Sequence, residues 1–123
     1  MNDLILQSDE LLPLTQSIDV SDKDILDVGC GVGWLARRIV RKTNIASITA
    51  VDTDASQIAQ NIDADTHNIR FATAAAEALP LENASIDVAV MMKSLHHVPI
   101  EHMDAAFAEL ARVLRPGGYL YIC

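Results

Sequence analysis

Three glycines at alternate positions, Gly29, Gly31 and Gly33, constrain the fold of this chain more than any other feature. They follow an apolar segment that ends at Val28, and a helical pattern of apolar residues begins directly after them. A strand, a glycine loop and a helix in this order let the backbone approach a nucleotide-like ligand, because no Cβ atom stands in the way. The free N–H groups at the start of the helix then face the ligand. Asp27 adds a carboxylate at the carboxyl end of the strand.

Two familiar glycine motifs fit this loop poorly. The Rossmann dinucleotide motif G-x-G-x-x-G/A needs a small last residue so that helix and strand can pack closely, and that position is Trp34 here. A phosphate-binding P-loop ends in Gly-Lys-Ser/Thr, which this sequence lacks. An NAD-binding oxidoreductase domain is therefore disfavoured, and a glycine turn without any ligand stays open as an alternative.

The pattern D-x-G-x-G-x-G resembles the glycine motif of class I S-adenosylmethionine-dependent methyltransferases, in which the loop wraps the methionine part of the cofactor. The resemblance implies S-adenosyl-L-methionine as the cofactor. It also implies cofactor contacts from the strand end and the loop, namely Asp27, Gly29, Cys30, Gly31 and Gly33.

A second carboxylate follows the second strand, which is predicted over 46–51. Asp52 lies one βαβ unit beyond Asp27, and a carboxylate at that place can accept hydrogen bonds from both ribose hydroxyls. The resemblance implies that Asp52 binds the ribose and that Thr53 lies against the adenine, where the family usually has a larger apolar residue. Asp54 is expected to cap the next helix, predicted over 55–62.

The segment after the third strand resembles the family's third motif at Ala76 and at the Leu-Pro pair 79–80. The acid that commonly binds the adenine amino group in this motif would stand at Ala75, which cannot accept that bond. Three options are open: Glu77 substitutes for the acid, Thr73 helps through water, or backbone groups alone hold the adenine. Ala76 and Glu77 are the predicted cofactor contacts of this segment.

The fourth strand, predicted over Ile86–Met91, leads into Met92 and the pair His96 and His97. At the point where the winding of an open parallel sheet reverses, ligands sit at the carboxyl ends of the strands. Met92 is therefore a predicted cofactor contact, and the L-H-H-V segment resembles many small-molecule methyltransferases. The two histidines are the catalytic candidates, as acid–base groups or substrate contacts, with a structural hydrogen bond as the alternative. No third ligand stands nearby, so no metal site is predicted.

These motifs predict an α/β fold with a Rossmann-like, doubly wound parallel sheet in the strand order 3-2-1-4-5. The third strand is predicted over 68–73. An apolar helical stripe over 100–114 and a turn at 115–118 precede a fifth strand over 119–122. The family's fold has seven strands, so we expect its strands six and seven to be absent and domain 24–123 to be truncated in strand five. Two explanations are open: the chain is a piece of a longer protein, or it is a natural short protein. Residues 1–23 form an N-terminal helical segment that acts either as a lid or as a simple packing segment.

The composition limits the partners of the chain. Its formal net charge is −8 with no dense run of Lys and Arg, which argues against nucleic acid. The cations within 37–42 are expected to lie on the solvated face of their helix. No secretory pattern and no apolar stretch of about 20 residues occurs, so we expect a cytoplasmic protein with no membrane contact.

Together these features predict an S-adenosylmethionine-dependent methyltransferase that acts on a small-molecule acceptor. The alternative is a non-catalytic module that binds the cofactor or another protein. Strand five would be an edge strand with two largely apolar faces, and such edges tend to pair with another copy. We therefore expect a homodimer joined near strand five.

Overall fold

The computed structural model describes residues 18–60, 68–92 and 98–122. Five parallel strands form one sheet: β1 (Asp24–Val28), β2 (Ser47–Asp52), β3 (Ile69–Thr73), β4 (Ile86–Met91) and β5 (Leu114–Ile122). The helices are α1 (Trp34–Lys42), α2 (Ala55–Ala59) and α3 (Met103–Val113), and a 3-10 turn over Ile100–His102 precedes α3. The strand order β3-β2-β1-β4-β5 confirms the predicted Rossmann-like sheet.

Strand β1 is the centre of the sheet and pairs with β2 on one side and with β4 on the other. Val28 lies opposite Val51 of β2, and Asp27 lies opposite Val90 of β4. From β1 the chain winds outward to β2 and β3, and it then crosses back to β4 and β5. The winding therefore reverses between β1 and β4, which places the expected ligand site at the carboxyl ends of these strands.

Alternate residues of the strands face two separate apolar cores, as the period of a strand requires. Ile25 belongs to the core that α1 covers, and Leu26 belongs to the core that α3 covers. Helix α1 contributes Leu35, Ala36 and Ile39 to the first core. Helix α3 contributes three buried residues to the second core, namely Ala106, Leu110 and Val113. Both faces of the sheet are thus buried, as in other doubly wound folds.

The predicted apolar stripe of α1 is confirmed, but the cations of this helix do not all lie in solvent. Arg41 and Lys42 are exposed, whereas Arg37 and Arg38 are half-buried. The guanidinium of Arg37 lies 5.7 Å from the ring centroid of Phe71 on β3. The expectation of one solvated basic face was therefore wrong for Arg37, because its long side chain folds back over an aromatic ring.

The region between α3 and β5 differs from the sequence-based prediction. Ile100, the first residue of the predicted stripe, lies in the 3-10 turn and is 87% exposed. Residues 115–118, predicted as a turn between helix and strand, belong to β5 itself. The register of β4 and β5 shifts between Ile86 and Val88, so extra residues of β5 are accommodated there as an irregularity of the ladder.

A network of charged side chains connects β5 to the amino-terminal ends of β1 and β4. The guanidinium Nη1 of Arg115 donates to Asp87 Oδ2 at 2.7 Å and to Asp24 Oδ2 at 3.0 Å. The backbone N–H of Asp24 also donates to Asp87 Oδ2, at 2.8 Å. Partial burial acts to raise the pKa of Asp87, but this N–H and Arg115 outweigh it, so the pKa is lowered. The network lies at the amino-terminal ends of the strands, whereas the expected site lies at their carboxyl ends.

Candidate functional site

The glycine loop closes the carboxyl end of β1. Its three glycines have positive φ angles of 79°, 57° and 82° at Gly29, Gly31 and Gly33. The N–H groups of Gly29 and Cys30 both donate to Val51 O of β2, at 2.8 and 2.9 Å. A Cβ at Gly31 would lie 3.0 Å from Gln57 Oε1. Backbone conformation and space thus both favour glycine at this point of the loop.

Asp52 joins the loop to the element after β2. Its Oδ2 accepts a hydrogen bond from Gly31 N at 2.8 Å, and its Oδ1 accepts one from Asp54 N at 2.8 Å. Asp54 then caps α2, because its Oδ1 accepts from Ser56 N at 3.0 Å. The predicted capping role of Asp54 is confirmed. The Asp52 carboxylate is thereby held in one orientation at the carboxyl end of β2.

Asp27 lies beneath the loop with a carboxyl oxygen that no other group satisfies. The residue is 2% exposed, and Oδ2 has no hydrogen-bond partner among the residues that the structure describes. Burial and, to a smaller extent, repulsion by the Asp52 carboxylate raise the pKa of Asp27 to about 7. A buried acceptor without a partner calls for a water molecule or a ligand.

The thiol of Cys30 is not poised for reaction. Burial and, to a smaller extent, the nearby Asp27 and Asp52 carboxylates raise the pKa of Cys30 to about 12. Because the thiolate is the nucleophilic form of cysteine, this thiol is inert near neutral pH.

A cavity of about 750 Å³ opens at the carboxyl ends of the strands, next to the glycine loop. This volume lies within the range of small-molecule and cofactor sites. The lining residues come from the loop, the end of β2, the start of α2, the segment after β3 and the segment before α3. They are Val28, Gly29, Gly31, Asp52, Thr53, Asp54, Gln57, Ala74, Ala75, Ala76, Glu77, Val98, Pro99 and His102.

One wall of the cavity carries a close contact between two polar side chains that the sequence analysis did not predict. Nδ1 of His102 lies 2.7 Å from Oε2 of Glu77. Glu77 follows β3, and His102 ends the 3-10 turn before α3, so the pair connects two different elements. The sequence offers one indirect sign of this position. A proline favours the start of a helical turn, and Pro99 precedes the turn that ends at His102.

The residues that follow Glu77 are hydrogen-bonded to side chains of α3. Arg112 donates to the carbonyl oxygens of Leu79 and Leu81, at 3.1 and 2.7 Å. Glu109 accepts from Leu79 N at 2.8 Å and pairs with Arg112 at 2.6 Å. These bonds fix the chain just after Glu77.

The structure brings together six of the predicted cofactor contacts around the cavity: Gly29, Gly31, Asp52, Thr53, Ala76 and Glu77. Four others do not line it: Asp27, Cys30, Gly33 and Met92. Met92 is half-buried and packs against the core that α1 covers. The catalytic candidates His96 and His97 lie outside the described residues, so their roles stay predictions.

Other parts of the chain offer less. A second cavity, of about 470 Å³, lies between segments 18–21 and 41–44. These segments precede β1 and β2, so the cavity is at the amino-terminal ends of the strands, away from the glycine loop. Across 18–60, 68–92 and 98–122, no cluster of three or more His, Cys, Asp or Glu side chains suits a metal ion. Within these same ranges, no helix has the length and apolar character needed to cross a membrane.

Comparison with known proteins places this site in a family. Residues 25–118 match the family model described as a methyltransferase domain. The chain belongs to this methyltransferase family. The match covers the glycine loop, the end of β2 and the segment that carries Glu77. The family also supports S-adenosylmethionine as the cofactor.

Named relatives agree with this assignment. The chain is 37% identical over 106 residues to a phthiotriol/phenolphthiotriol dimycocerosates methyltransferase of Mycobacterium ulcerans, covering 84% of this chain and 38% of that protein. It is 39% identical over 103 residues to a malonyl-[acyl-carrier protein] O-methyltransferase of Hahella chejuensis, covering 82% of this chain and 36% of that protein. The chain therefore spans less than two fifths of the length of either relative.

One solved structure with the same fold is named for an activity other than methyl transfer. The crystal structure of the [4+2]-cyclase SpnF matches with a TM-score of 0.80 and 33% sequence identity, covering 91% of this chain and 43% of that chain. The methyltransferase fold is thus shared with a protein named for a cyclisation.

Proposed function

We propose that this chain forms the cofactor-binding part of an S-adenosylmethionine-dependent methyltransferase that acts on an oxygen atom of a small-molecule acceptor. The observation that carries the proposal is Asp52, whose carboxylate is fixed by Gly31 N and Asp54 N at the edge of the 750 Å³ cavity. An acid at the end of the second strand, beside a glycine loop, is suited to both ribose hydroxyls.

The residues present fit the cofactor by shape. A Cβ at Gly31 would lie 3.0 Å from Gln57 Oε1, so glycine keeps the loop backbone uncrowded beside the cavity. In this proposal the backbone of Gly29 and Gly31 surrounds the methionine part, and Thr53 and Ala76 flank the adenine. Cys30 and Gly33 act by shaping the loop, and Met92 stays a predicted contact.

The residues also fit the cofactor by charge. Three of the lining residues are acids, namely Asp52, Asp54 and Glu77. S-adenosylmethionine carries a sulfonium, an ammonium and a carboxylate and is cationic overall, whereas a dinucleotide brings negative phosphates. An acidic cavity attracts the first and repels the second. This charge supports S-adenosylmethionine over NAD, in agreement with Trp34 at the place where a dinucleotide loop needs a small residue.

The chemistry asks the chain for alignment and for exclusion of water. When bound, S-adenosylmethionine supplies a methyl group on a sulfonium that is already a good leaving group. The chain's own residues hold the cofactor through Asp52 and the loop, and they line a cavity in which an acceptor can be placed in line. His96 or His97 is proposed to accept the acceptor's proton or to hold the acceptor. The name of the Hahella chejuensis relative, a malonyl-[acyl-carrier protein] O-methyltransferase, supports an oxygen atom as the methyl acceptor.

The second candidate is a module that binds S-adenosylmethionine without transferring its methyl group. The likeness to the cyclase SpnF favours it, because that protein shares the fold under a different activity. Release of S-adenosylhomocysteine in the presence of acceptor molecules distinguishes the two candidates. Nucleic acid is not proposed as a partner, given the acidic net charge of −8.

Asp52→Ala tests the proposal. Loss of the charge-assisted bonds to the ribose is expected to weaken binding of S-adenosylhomocysteine by about 10- to 100-fold. Isothermal titration calorimetry measures the change, and circular dichroism checks that the variant is folded. Asp104→Ala is the matched control, because Asp104 is an exposed acid of α3 that does not line the cavity. Equal affinity of a folded Asp52→Ala variant and its parent would contradict the ribose role.

A further inference from the structure

The solvent face of α1 carries residues that the cofactor proposal does not use. Trp34 and Arg41 are seven positions apart, which is two helical turns, so they share one face of the helix, and Lys42 lies next to Arg41. All three residues are exposed, and Trp34 is 48% exposed. The other face of α1 is buried in the core through Leu35 and Ile39. A tryptophan and two cations are thus presented together to solvent.

This face is the positive part of an acidic chain. The chain has 17 acids against nine Lys and Arg residues, yet no acid occurs between Asp27 and Asp52. Four of the nine cations lie in this interval, and all four belong to α1. Concentrated positive charge on a protein with a net charge of −8 directs an acidic partner to one place on its surface.

Two of the four cations can engage a partner directly. Arg37 and Arg38 already interact with other groups, and Nη1 of Arg37 donates to Val32 O at 2.8 Å. In the described part of the chain, the side chains of Arg41 and Lys42 have no ion pair and no hydrogen bond. Their charges are therefore free to meet carboxylates from outside.

The cavity of about 470 Å³ continues this face beyond the end of α1. Arg41 and Lys42 line it beside uncharged polar residues, and Asp19 is the one acid among its lining residues. Oδ1 of Asp19 accepts a hydrogen bond from Ser21 N at 3.0 Å. The face thus has a concave part into which a side chain of a partner can enter while its carboxylates meet the two cations.

The composition of the face suits a protein rather than a nucleic acid. Tryptophan and arginine are enriched among the residues from which protein–protein interfaces gain their affinity. Val32 is 40% exposed beside Trp34, so the face also offers apolar contact. A phosphate backbone needs more clustered cations than these and is repelled by the net charge of −8. Single carboxylates suit a guanidinium, because they accept two parallel hydrogen bonds from it.

We propose that the face formed by Val32, Trp34, Arg41 and Lys42 binds an acidic segment of a partner protein. Trp34 packs against apolar side chains of that segment, and Arg41 and Lys42 pair with its carboxylates. A helix of nine residues offers a small contact area, so the binding is weak and depends on salt. None of the four residues lines the cofactor cavity, so the partner binds next to the glycine loop and leaves the cavity open.

Trp34 is the sole tryptophan of the chain, so its fluorescence reports on this face directly. The probe is a soluble peptide of glutamate and leucine residues, and the control peptide has glutamine in place of each glutamate. The acidic peptide is expected to shift the emission to shorter wavelengths, because the indole leaves water. The control peptide is expected to leave the emission unchanged. Raising the salt concentration from about 50 mM to about 500 mM is expected to weaken binding of the acidic peptide by about 10-fold.

A matched pair of variants locates the binding. Arg41→Glu is expected to weaken binding of the acidic peptide by about 10-fold, because it replaces attraction by repulsion. Arg70→Glu is the control, since Arg70 is exposed on β3 outside this face and the exchange changes the net charge equally. Arg41→Gln removes the cation without placing an acid in the last turn of α1, and a smaller loss is expected. Circular dichroism checks that each variant is folded.

Several results would overturn the proposal. No change of the emission with the acidic peptide would do so, and equal weakening in Arg41→Glu and Arg70→Glu would show attraction to the overall charge alone. A response to oligothymidylate in place of the acidic peptide would indicate a nucleic-acid surface. A shift with protein concentration alone, with dimers in light scattering, would make a second copy the occupant.

The free chain supplies the last check. Its emission is expected at the long wavelengths of a solvated indole, and emission at short wavelengths would show that another segment of the chain covers Trp34, which would also overturn the proposal. The cofactor is absent from all these measurements, so none of their results decides the proposed function.

Discussion

The buried carboxyl of Asp27 links the stability of the chain to pH. The pKa of Asp27 is about 7 in the folded protein against an ordinary value of 3.8, so the folded state binds this proton more tightly than the unfolded state does. The resulting stabilisation is fully present below the unfolded pKa and is lost as the pH rises through 7. At higher pH the folded protein holds an ionised, buried carboxylate next to Asp52.

Asp27→Asn is expected to remove this pH dependence in the absence of ligand. Relative to the parent, the variant should gain about 3 kcal/mol of unfolding free energy from pH 5 to pH 8, as the shift of the pKa of Asp27 from 3.8 to about 7 implies. Urea unfolding of both proteins at several pH values measures the difference, in which titration of the histidines cancels. Parallel stability curves for parent and variant would show that Asp27 does not titrate in this way.

Individual site residues differed in how well the sequence predicted them. The spacing of Asp27, the glycines and Asp52 follows from one βαβ unit, so their convergence at one sheet edge could be predicted. The pair of Glu77 and His102 could not, because the two residues lie in separate segments with no periodic relation. Their contact arises only from the packing of the segment after β3 against the turn before α3.

At the scale of elements, β5 shows how a glycine pair serves a strand rather than a turn. Gly117 has a φ of 83°, and a Cβ built there meets nothing within 4 Å. A Cβ at Gly118 would lie 2.8 Å from Asp87 O and 2.9 Å from Arg115 O. The first glycine is needed for its conformation, and the second is needed because the backbones of β4 and β5 approach closely there.

Two alanine substitutions are expected to separate these causes. Gly117→Ala should cost about 1 kcal/mol of unfolding free energy, for the left-handed conformation alone. Gly118→Ala should cost about 1–3 kcal/mol or more, because backbone atoms have to move. Urea unfolding at one pH measures both variants side by side. A smaller loss for Gly118→Ala than for Gly117→Ala would contradict the close approach of the two strands.

The sequence predicted elements better than their ends. The strands β1 and β4 and the buried stripe of α1 follow from apolar runs and helical spacing. The solvent exposure of Ile100 could not be read from spacing, because an apolar residue ahead of a helix is buried only if another element covers it. The inclusion of 115–118 in β5 depends on pairing with β4, which is a tertiary contact.

At the scale of the whole molecule, the two edge strands of the sheet are β3 and β5. Strand β3 lies at one edge, and β5 lies at the other, where Tyr119 and Ile122 are exposed. Within 18–60, 68–92 and 98–122, no further strand pairs with β5. The homodimer through this edge stays a prediction, as do the lid role of residues 1–23 and the acceptor.

The central claim is that the chain binds S-adenosylmethionine through the glycine loop and Asp52. Calorimetric titration with S-adenosylhomocysteine and, separately, with NAD tests it most directly. We expect one equivalent of S-adenosylhomocysteine to bind and NAD to give no heat of binding, because the acidic cavity repels phosphates. Binding of NAD without binding of S-adenosylhomocysteine, or no binding of either ligand at millimolar concentration, would contradict the account.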